Sequence, residues 1–413
     1  MLDHSLSEPG IDDSELTLLV PADDARAPEI SIVIPALNEE LTIGEFVDWC
    51  KEGLHRAGIQ GEILIVDSSG DDTADIALMK GARVLKTPKR GLGRAYIDAL
   101  TYVRGRYILM GDADCTYDFR NLGPFVERFR AGYEYIMGSR YKGYIEPGSM
   151  PPLHQYLGTP VTTWFLNFLY ASGFSDIHCG MRGITSEALR RMDLQSQSWE
   201  YASEMVLKSV RMDLRTAEVP VRFLKDREGR LSHHKRSGWW SPWHAAWINV
   251  KAMFVYGADF FLFRPGILVL LLGLLLTLPV TFGPVTIGPI TFSLYWMLVG
   301  LTLCVLGLHG FYVGCLTRVF FDYSGQTTRR WLGFFSYTRS VVLSVVSVAL
   351  GVALTVPLLR QYVQSGLRLP DSVEPVNHLA VTGLLFLIAG SMNFSFTLAL
   401  HAAVAYVRHI RHG

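Results

Sequence analysis

The stretch YILMGDADCTYD, residues 107–118, decides the fold of the first part of the chain. Its apolar first half predicts a buried strand, and two carboxylates, Asp112 and Asp114, follow where that strand ends. Similar apolar runs alternate with helical patterns, of which residues 43–54 are the first, with apolar residues at helical spacing. This alternation predicts an α/β, Rossmann-like domain with a mostly parallel sheet covered on both faces, whose ligands lie at the carboxyl ends of the strands. The expected strands are residues 30–36, 62–66, 82–86, 107–110 and 135–137.

The pair Asp112 and Asp114 has the i, i+2 spacing that can aim two carboxylates at one cation. Mg²⁺ or Mn²⁺ holding a diphosphate is the natural occupant of such an oxygen site. Two acids in a surface turn are also common, but their place at the end of a strand favours a metal site.

Three other segments carry residue types that suit a nucleotide: PALNEE at 35–40, the strand-end Asp67, and KRGLGRA at 89–95. A carboxylate can accept hydrogen bonds from a base or ribose, while a basic loop that opens a helix can meet phosphates. Each segment alone also suits a cap or turn, and their order along the chain favours the nucleotide. The residues expected to bind the nucleotide-bearing substrate are Pro35, Asn38, Glu39, Asp67, Lys89, Gly91, Gly93, Asp112 and Ala113.

The composition divides the chain into two parts. Its 413 residues are 49% hydrophobic and 18% charged, with a formal net charge of zero. From Arg264 onward there are nine arginines, no lysine and three acids, so that part carries +6 and the part before it −6. An acidic, soluble-type part is thus joined to an apolar part whose only basic residues besides histidine are arginines, which excludes a disordered, collagenous or wholly soluble protein and argues against a nucleic-acid partner.

Four apolar segments, at about residues 265–282, 292–316, 340–359 and 379–407, approach or exceed the roughly 20 residues needed to span a bilayer. Buried helices of a large soluble protein are the alternative, which four such runs in one chain disfavour. The positive-inside rule predicts that both termini and the α/β domain lie in the cytoplasm. The arginines that set this orientation are Arg318, Arg329, Arg330, Arg339, Arg408 and Arg411.

The remaining segments complete the domain prediction. Residues 1–28 are acidic, lack a secretory signal and are expected to form a mobile tail, followed by the α/β domain over 29–232. Residues 233–264 are basic and tryptophan-rich, which predicts interfacial helices, with a packed core helix as the alternative. Residues 265–413 form the all-α transmembrane domain of about four helices. The five scattered cysteines argue against a disulfide framework and suit a reducing compartment.

Residues 30–238 resemble the family 2 glycosyltransferases of the A-type fold, and among them the polyprenyl-phosphate (dolichyl-phosphate) mannose and glucose synthases. The resemblance rests on an ordered series: VIPALNEE, IVD with DDT, RGLGRA, DAD, GSRY at 138–141, D-x-x-x-G-M-R at 176–182, and EVPVRF followed by DREGRLS. The sequence departs from the family pattern at three places: Ser68 stands for the usual second Asp, Thr116 for a frequent Gln, and Ser232-His233 for Ser-Lys. The third metal ligand is therefore open.

The resemblance implies transfer of a hexose from a nucleotide-diphosphate sugar, UDP-glucose first and GDP-mannose second, to undecaprenyl or dolichyl phosphate by metal-assisted inverting displacement. A lipid phosphomonoester, with a second pKa of about 6, is largely ionised at pH 7 and needs no general base. Arginines would offset the repulsion between the two phosphates, although each could instead form a surface ion pair. The expected catalytic residues are Asp112, Asp114, Arg140, Arg182 and Arg227. The expected acceptor-phosphate ligands are Arg140, Arg182, Arg227, Arg230, Ser232 and Lys235.

Other readings stay open. Glu204 faces either the sugar site or the helix surface. A processive polysaccharide synthase would carry Gln-x-x-Arg-Trp, whereas Gln326 to Trp331 is one residue too long. A membrane scaffold with a degenerate transferase domain is the non-enzymatic alternative. The expected partners are the nucleotide sugar, the lipid phosphate and the membrane, with self-association left open.

Overall fold

The computed structural model describes residues 15–170, 172–227, 229–230, 251, 254, 257–322, 325–368 and 370–412. The chain divides into two compact units, Met1–Met253 and Phe254–Gly413, which we call the N-terminal and C-terminal units.

The N-terminal unit is built on an eight-stranded sheet in the order β1-β4-β3-β2-β5-β7-β6-β8. β2 pairs in parallel with β3 and β5, as do β3 with β4 and β6 with β8, while β1 and β7 are antiparallel to their neighbours. The mostly parallel sheet predicted from the sequence is confirmed. The strands are β1 Thr17–Leu19, β2 Ile30–Ala36, β3 Gly61–Asp67, β4 Arg83–Lys86, β5 Tyr107–Met110, β6 Tyr135–Ile145, β7 Arg182–Thr185 and β8 Thr216–Phe223.

Helices cover this sheet. The first of them, α1, buries Ile43, Phe46, Val47, Cys50 and Leu54, the apolar face that the helical spacing predicts. Central strands β2 and β3 are buried almost throughout, as expected for strands covered on both faces. The helices are α1 Ile43–Ala57, α2 Thr73–Met79, α3 Leu92–Ala99, α4 Gly123–Arg130, α5 Thr159–Tyr170, α6 Ser186–Met192 and α7 Tyr201–Arg211, with a π-helical turn His154–Gly158 before α5.

Two expectations about this unit need correction. The mobile tail predicted for residues 1–28 is wrong from Thr17 onward, because β1 pairs with the edge strand β4 and Asp24 accepts two hydrogen bonds of 2.8 Å from Arg104. A three-residue edge strand is too short to leave a periodic pattern. The strand expected at 135–137 continues to Ile145, and the sequence pattern missed β7 and β8 altogether.

The C-terminal unit is helical, with α8 Ala258–Thr277, α9 Leu294–Phe320, α10 Gln326–Phe334, α11 Tyr337–Gln364 and α12 Pro375–His412. Four helices are long and apolar enough to cross a membrane, as the sequence predicts: Ala258–Val280, Leu294–Phe320, Tyr337–Gln364 and Pro375–Tyr406. A short hairpin, β9 Val285–Ile287 and β10 Ile290–Phe292, joins the first two.

The interfacial segment predicted for 233–264 is shorter at its C-terminal end. Residues 258–264 belong to α8, which continues through Pro265. The tryptophan-rich stretch of residues 239–247 lies outside the described residues, so its predicted interfacial position stays a prediction.

Candidate active site

Three neighbouring parallel strands end at one edge of the sheet and bring the predicted nucleotide and metal residues together. β2 and β3 are in register, so that Ala36 pairs with Asp67. Beyond them, the Asn38 amide donates to Ser69 Oγ at 2.7 Å and its Oδ1 accepts from the Gly70 amide at 3.2 Å. These bonds lock the two strand-end loops together and hold Asn38 in the left-handed conformation, at φ 55°.

Asp67 lies at the end of β3 and is buried, with Oδ1 accepting from the Ser69 amide at 3.3 Å. Burial raises its pKa above the ordinary value, and the hydrogen bonds of Ser69 offset only part of this shift. Pro35 lies in β2 and Ala113 is buried between the two site carboxylates.

Asp112 follows β5 and faces Gly180, where a Cβ would lie only 2.5 Å from the Asp112 Oδ2. Glycine is therefore needed opposite this carboxylate. Burial, and then the nearby charge of Asp114, raise the pKa of Asp112 to about 7. Among the described residues, none donates a hydrogen bond to it, so its oxygens are available to a ligand.

Asp114 is held by its own loop. Its Oδ1 accepts from the Thr116 amide at 3.0 Å and hydroxyl at 2.6 Å, and Arg230 lies 3.3 Å from its Oδ2. Burial nevertheless raises its pKa above the ordinary value, outweighing Arg230 and these hydrogen bonds. Two desolvated carboxylates are the hard oxygen donors that Mg²⁺ or Mn²⁺ requires, so this donor set fits such a cation. Within the described part of the chain no cluster of three His, Cys, Asp or Glu supplies a third ligand.

Arg230 reaches this site from far along the chain. Its Nε and Nη2 donate to the two Glu39 carboxylate oxygens at 2.6 and 2.7 Å, and its Nη1 donates to Asp226 at 2.9 Å. Glu39, predicted to bind the nucleotide, is instead engaged through both oxygens with Arg230. The structure thus places Arg230, a predicted ligand of the acceptor phosphate, beside Asp114. The guanidinium group of Arg230 is surrounded by carboxylates.

Arg140 and Arg182, both predicted to contact the acceptor phosphate, are buried. Arg140 forms a bidentate ion pair with Asp176, in which Nε and Nη2 donate to the two carboxylate oxygens at 2.7 and 2.8 Å. Arg182 is 1% exposed and donates to the carbonyls of Cys179, Ala202 and Ile177 at 2.8–3.0 Å. With these contacts the two arginines hold the segment that presents Gly180 to Asp112, and their role at the acceptor phosphate stays a prediction. The sequence carries no signal for which arginine is buried.

The glycine-rich loop packs against another loop of the chain, and its predicted contact with phosphate stays a prediction. A Cβ at Gly91 or Gly93 would lie 2.2 Å from the carbonyl oxygen of Gln197 or Ser196, respectively. The Arg94 amide donates to the Gln197 carbonyl at 3.0 Å. The glycines therefore admit the chain's own backbone at the start of α3, where a phosphate was expected, and Lys89 is exposed beside them.

Glu204 binds the backbone of the loop that packs against Gly91 and Gly93. It is fully buried and accepts from the amides of Gln195 and Ser196 at 3.0 and 2.8 Å. Neither a sugar-facing position nor a helix surface describes it.

Two segments match known families. The model described as "Glycosyl transferase family 2" matches residues 31–193, and "Glycosyltransferase family 2 C-terminal transmembrane region" matches residues 315–403. The chain thus carries a glycosyltransferase family 2 domain and a C-terminal transmembrane region of that family's type. With four helices long and apolar enough to cross a membrane and the matching transmembrane region, the chain is an integral membrane protein.

The chain is similar to the low-salt glycan biosynthesis hexosyltransferase Agl6 of Haloferax volcanii, with 40% identity over 62% of this chain and 61% of Agl6. It thus spans less than two-thirds of that relative. The dolichyl-phosphate hexose transferase of the same organism is 26% identical over 49% of this chain and 85% of its own length. The glucosyl-3-phosphoglycerate synthase of Mycobacterium tuberculosis, solved with Mn²⁺ and UDP-glucose, is 19% identical over 55% of this chain and 78% of its own, with a TM-score of 0.42.

Arg227 is the exposed arginine among the predicted phosphate ligands that the structure describes. It is 46% exposed, pairs with Glu45 and lies 5.5 Å from the Trp49 ring, with Arg120 4.2 Å from the same ring. Sequence reasoning missed Arg120 and Arg222, both near Asp118. They meet because residues 116–118 run beside residues 222–224, which no sequence pattern records. Ser232 and Lys235 lie outside the described residues.

Proposed function

We propose that this protein transfers a hexose from a nucleotide-diphosphate sugar to a polyprenyl phosphate such as undecaprenyl or dolichyl phosphate. The carrying observation is the pair of strand-end carboxylates, with Asp112 partly buried, facing Gly180 and receiving no hydrogen bond from the described residues. The names of its relatives, a hexosyltransferase and a dolichyl-phosphate hexose transferase, support the substrate class.

In this proposal, Asp112 and Asp114 hold Mg²⁺ or Mn²⁺. When bound, such a cation neutralises the diphosphate and stabilises the leaving nucleotide. Asn38 and Asp67, at the neighbouring strand ends, orient the nucleotide, with the Asp67 carboxylate accepting hydrogen bonds from base or ribose. UDP-glucose is the first donor to test and GDP-mannose the second.

The acceptor phosphate is its own nucleophile, since it is ionised near neutral pH. Arg227 is exposed enough to meet it, and Arg230 would do so by exchanging a carboxylate partner for phosphate. A single displacement needs no carboxylate nucleophile on the protein and inverts the anomeric centre, so an α-linked donor gives a β-linked lipid product.

The arginine-rich loop after the second span supports an orientation with the N-terminal unit and both termini in the cytoplasm. A processive synthase receives no support from Trp331. That side chain packs in an apolar cluster of the C-terminal unit, with ring centroids 5.7 Å from Phe263 and 6.0 Å from Phe335.

The test is incubation of membranes containing the full chain with radiolabelled nucleotide sugars, polyprenyl phosphate and Mg²⁺ or Mn²⁺. We expect one sugar to appear on the lipid, and Asp114→Ala to abolish this. Asp48→Ala, an exposed aspartate of α1, is the matched control and should retain transfer. Polymeric product would indicate the processive alternative, and no turnover with any sugar would indicate the scaffold.

A further inference from the structure

The Asp112 carboxylate lies against a segment of backbone. A Cβ at Gly180 would be 2.5 Å from its Oδ2, whereas no described residue donates a hydrogen bond to it. A hydrogen-bond donor would occupy a lone pair that a cation needs, while a close backbone contact limits the rotation of the carboxylate and leaves both oxygens free. The orientation of Asp112 therefore depends on where the Gly180 backbone is held.

One side chain holds Gly180 itself. The Gly180 amide donates to the hydroxyl oxygen of Tyr117 at 2.8 Å, and the two residues are 63 positions apart in the sequence. The Tyr117 ring lies beside the same glycine, because a Cβ at Gly180 would be 3.0 Å from its Cε2. Arg182, by contrast, binds the carbonyl of the preceding Cys179. Tyr117 thus contacts the residue that faces Asp112.

Tyr117 is held in turn by the end of β8. It is 3% exposed, and its ring centroid lies 5.1 Å from that of Phe223. The Leu224 amide donates to the Thr116 carbonyl at 2.7 Å, which ties the backbone beside Tyr117 to the same strand end. Burial, and then the Cys179 thiol, raise the pKa of Tyr117 above its ordinary value, so the hydroxyl is protonated and accepts through its oxygen.

We propose that Tyr117 is a positioning residue of the active site, whose hydroxyl holds the Gly180 amide and thereby keeps the Asp112 carboxylate in the orientation that binds the cation. The strand end against which Tyr117 packs continues toward Arg227 and Arg230, so the same side chain joins the two sides of the site. The hydrogen bond belongs to the folded chain alone, whereas its effect on cation binding and transfer rests on the proposed function.

The contact is tested with Tyr117→Phe, which keeps the ring and removes the hydroxyl. Tyr133→Phe, whose ring lies 5.1 Å from Arg215, is the matched control. We expect amide hydrogen exchange over residues 179–181 of the full chain, without ligands, to be about tenfold faster in Tyr117→Phe alone. Unchanged exchange over these residues would overturn the proposal. An equal rise over β2 and β3 would also do so, because it would make Tyr117 only a core residue.

The effect on Asp112 is tested by Mn²⁺ binding to the full chain, followed by electron paramagnetic resonance with UDP or GDP present. We expect Tyr117→Phe to bind Mn²⁺ several-fold more weakly than wild type, and Asp112→Asn, the reference for a lost ligand, more weakly still. Faster exchange at residues 179–181 with unchanged Mn²⁺ binding would refute the positioning of Asp112. Absence of Mn²⁺ binding to wild type would refute it as well.

Transfer kinetics separate this role from binding of the acceptor. Tyr117→Phe should lower kcat several-fold and raise the cation concentration for half-maximal transfer, with the KM for polyprenyl phosphate unchanged. A change in that KM alone would overturn the proposal. Absence of transfer by the wild type would overturn the proposed function but not this inference, which the exchange and Mn²⁺ measurements decide.

A second pair of variants tests the contact from the opposite side. Gly180→Ala places a methyl group against the Asp112 Oδ2 and should abolish Mn²⁺ binding. Gly123→Ala, where a Cβ meets nothing within 4 Å, is the matched control and should bind Mn²⁺ as wild type does. Equal Mn²⁺ binding by the two alanine variants would show that the spacing between Gly180 and Asp112 does not matter, and would overturn the proposal.

Discussion

The two units bury polar groups in different ways. The N-terminal unit buries ion pairs, among them Arg83–Glu62, Arg140–Asp176 and Arg230–Glu39, each with side chains no more than 8% exposed. In the described part of the C-terminal unit, buried contacts between helices are neutral, such as Asn393 Nδ2 donating to Ser344 Oγ at 2.8 Å. Its pair of Arg318 with Asp259 joins the end of α9 to the start of α8.

This difference follows from the solvent against which each unit folds. A soluble unit gains from burying apolar surface and can offset the desolvation of an ion pair near its site. In a bilayer, helices gain little from hydrophobicity and associate through close backbone contact and neutral hydrogen bonds. At Gly307, a Cβ would lie 2.3 Å from the backbone nitrogen of Leu270 on α8.

The largest expected effect concerns the candidate active site of the N-terminal unit. Asp112→Asn should lower transfer by about 10³-fold, because it removes a charged ligand from the proposed cation site. The melting temperature should not fall, since burial and Asp114 already disfavour the charged form, whose pKa is raised to about 7. Steady-state kinetics and thermal unfolding of the purified protein check both statements. Substantial turnover, or a large loss of stability, would show that Asp112 is structural.

The next effect concerns the buried ion pair between Arg140 and Asp176. Asp176→Asn leaves the Arg140 charge uncompensated and should cost about 3–5 kcal/mol of unfolding free energy. Asp48→Asn, whose exposed partner is Lys80, should cost less than about 1 kcal/mol. Denaturant unfolding of the N-terminal unit, followed by near-ultraviolet circular dichroism, measures both.

The same pair predicts a pH dependence. Burial alone would raise the pKa of Asp176, but hydrogen bonds and charge from Arg140 hold it below its ordinary value. Its stabilisation is therefore fully present above the unfolded pKa of about 3.9 and is lost as pH falls through the lower folded pKa. The stability difference between wild type and Asp176→Asn should shrink in that acidic range. A difference that is constant with pH would exclude this linkage.

A smaller effect tests backbone contact in the C-terminal unit. Gly307→Ala forces a methyl group against the Leu270 backbone and should destabilise the helix pair by about 1–3 kcal/mol. Gly333→Ala in α10, where a Cβ meets nothing within 4 Å, should be neutral or stabilising by up to about 1 kcal/mol. Unfolding by sodium dodecyl sulfate in mixed micelles compares the two, and equal costs would contradict close packing.

The smallest effect sharpens the contrast between charged and neutral contacts. Ser344→Ala removes one interhelical hydrogen bond to Asn393 and should cost only about 0.6 kcal/mol. Thr302→Val removes a bond within α9 alone and should cost still less. If Ser344→Ala lowered the unfolding free energy as much as Asp176→Asn does, the proposed difference between the units would be wrong.

Much of this architecture is readable from the sequence, because apolar periodicity records which face of an element is buried. β2 and β5 have the predicted bounds, α1 buries the predicted face, and four spans lie near the predicted segments. The strand-end position of Asp112 and Asp114 follows from the same pattern. These features depend on short stretches of chain whose burial shows in their own residues.

Only the tertiary structure decided which groups the charged side chains contact. Arg182 and Arg227 are both predicted ligands of the acceptor phosphate. Arg182 is buried against backbone carbonyls, whereas Arg227 is exposed beside Trp49. Arg230 pairs with Glu39, which lies 191 residues earlier in the sequence. Gly91 and Gly93, at the start of α3, accommodate the backbone of residues 196–197, about a hundred residues later. A hydrophobic period records burial but not partners, because an ion pair or a close backbone contact depends on where distant segments meet.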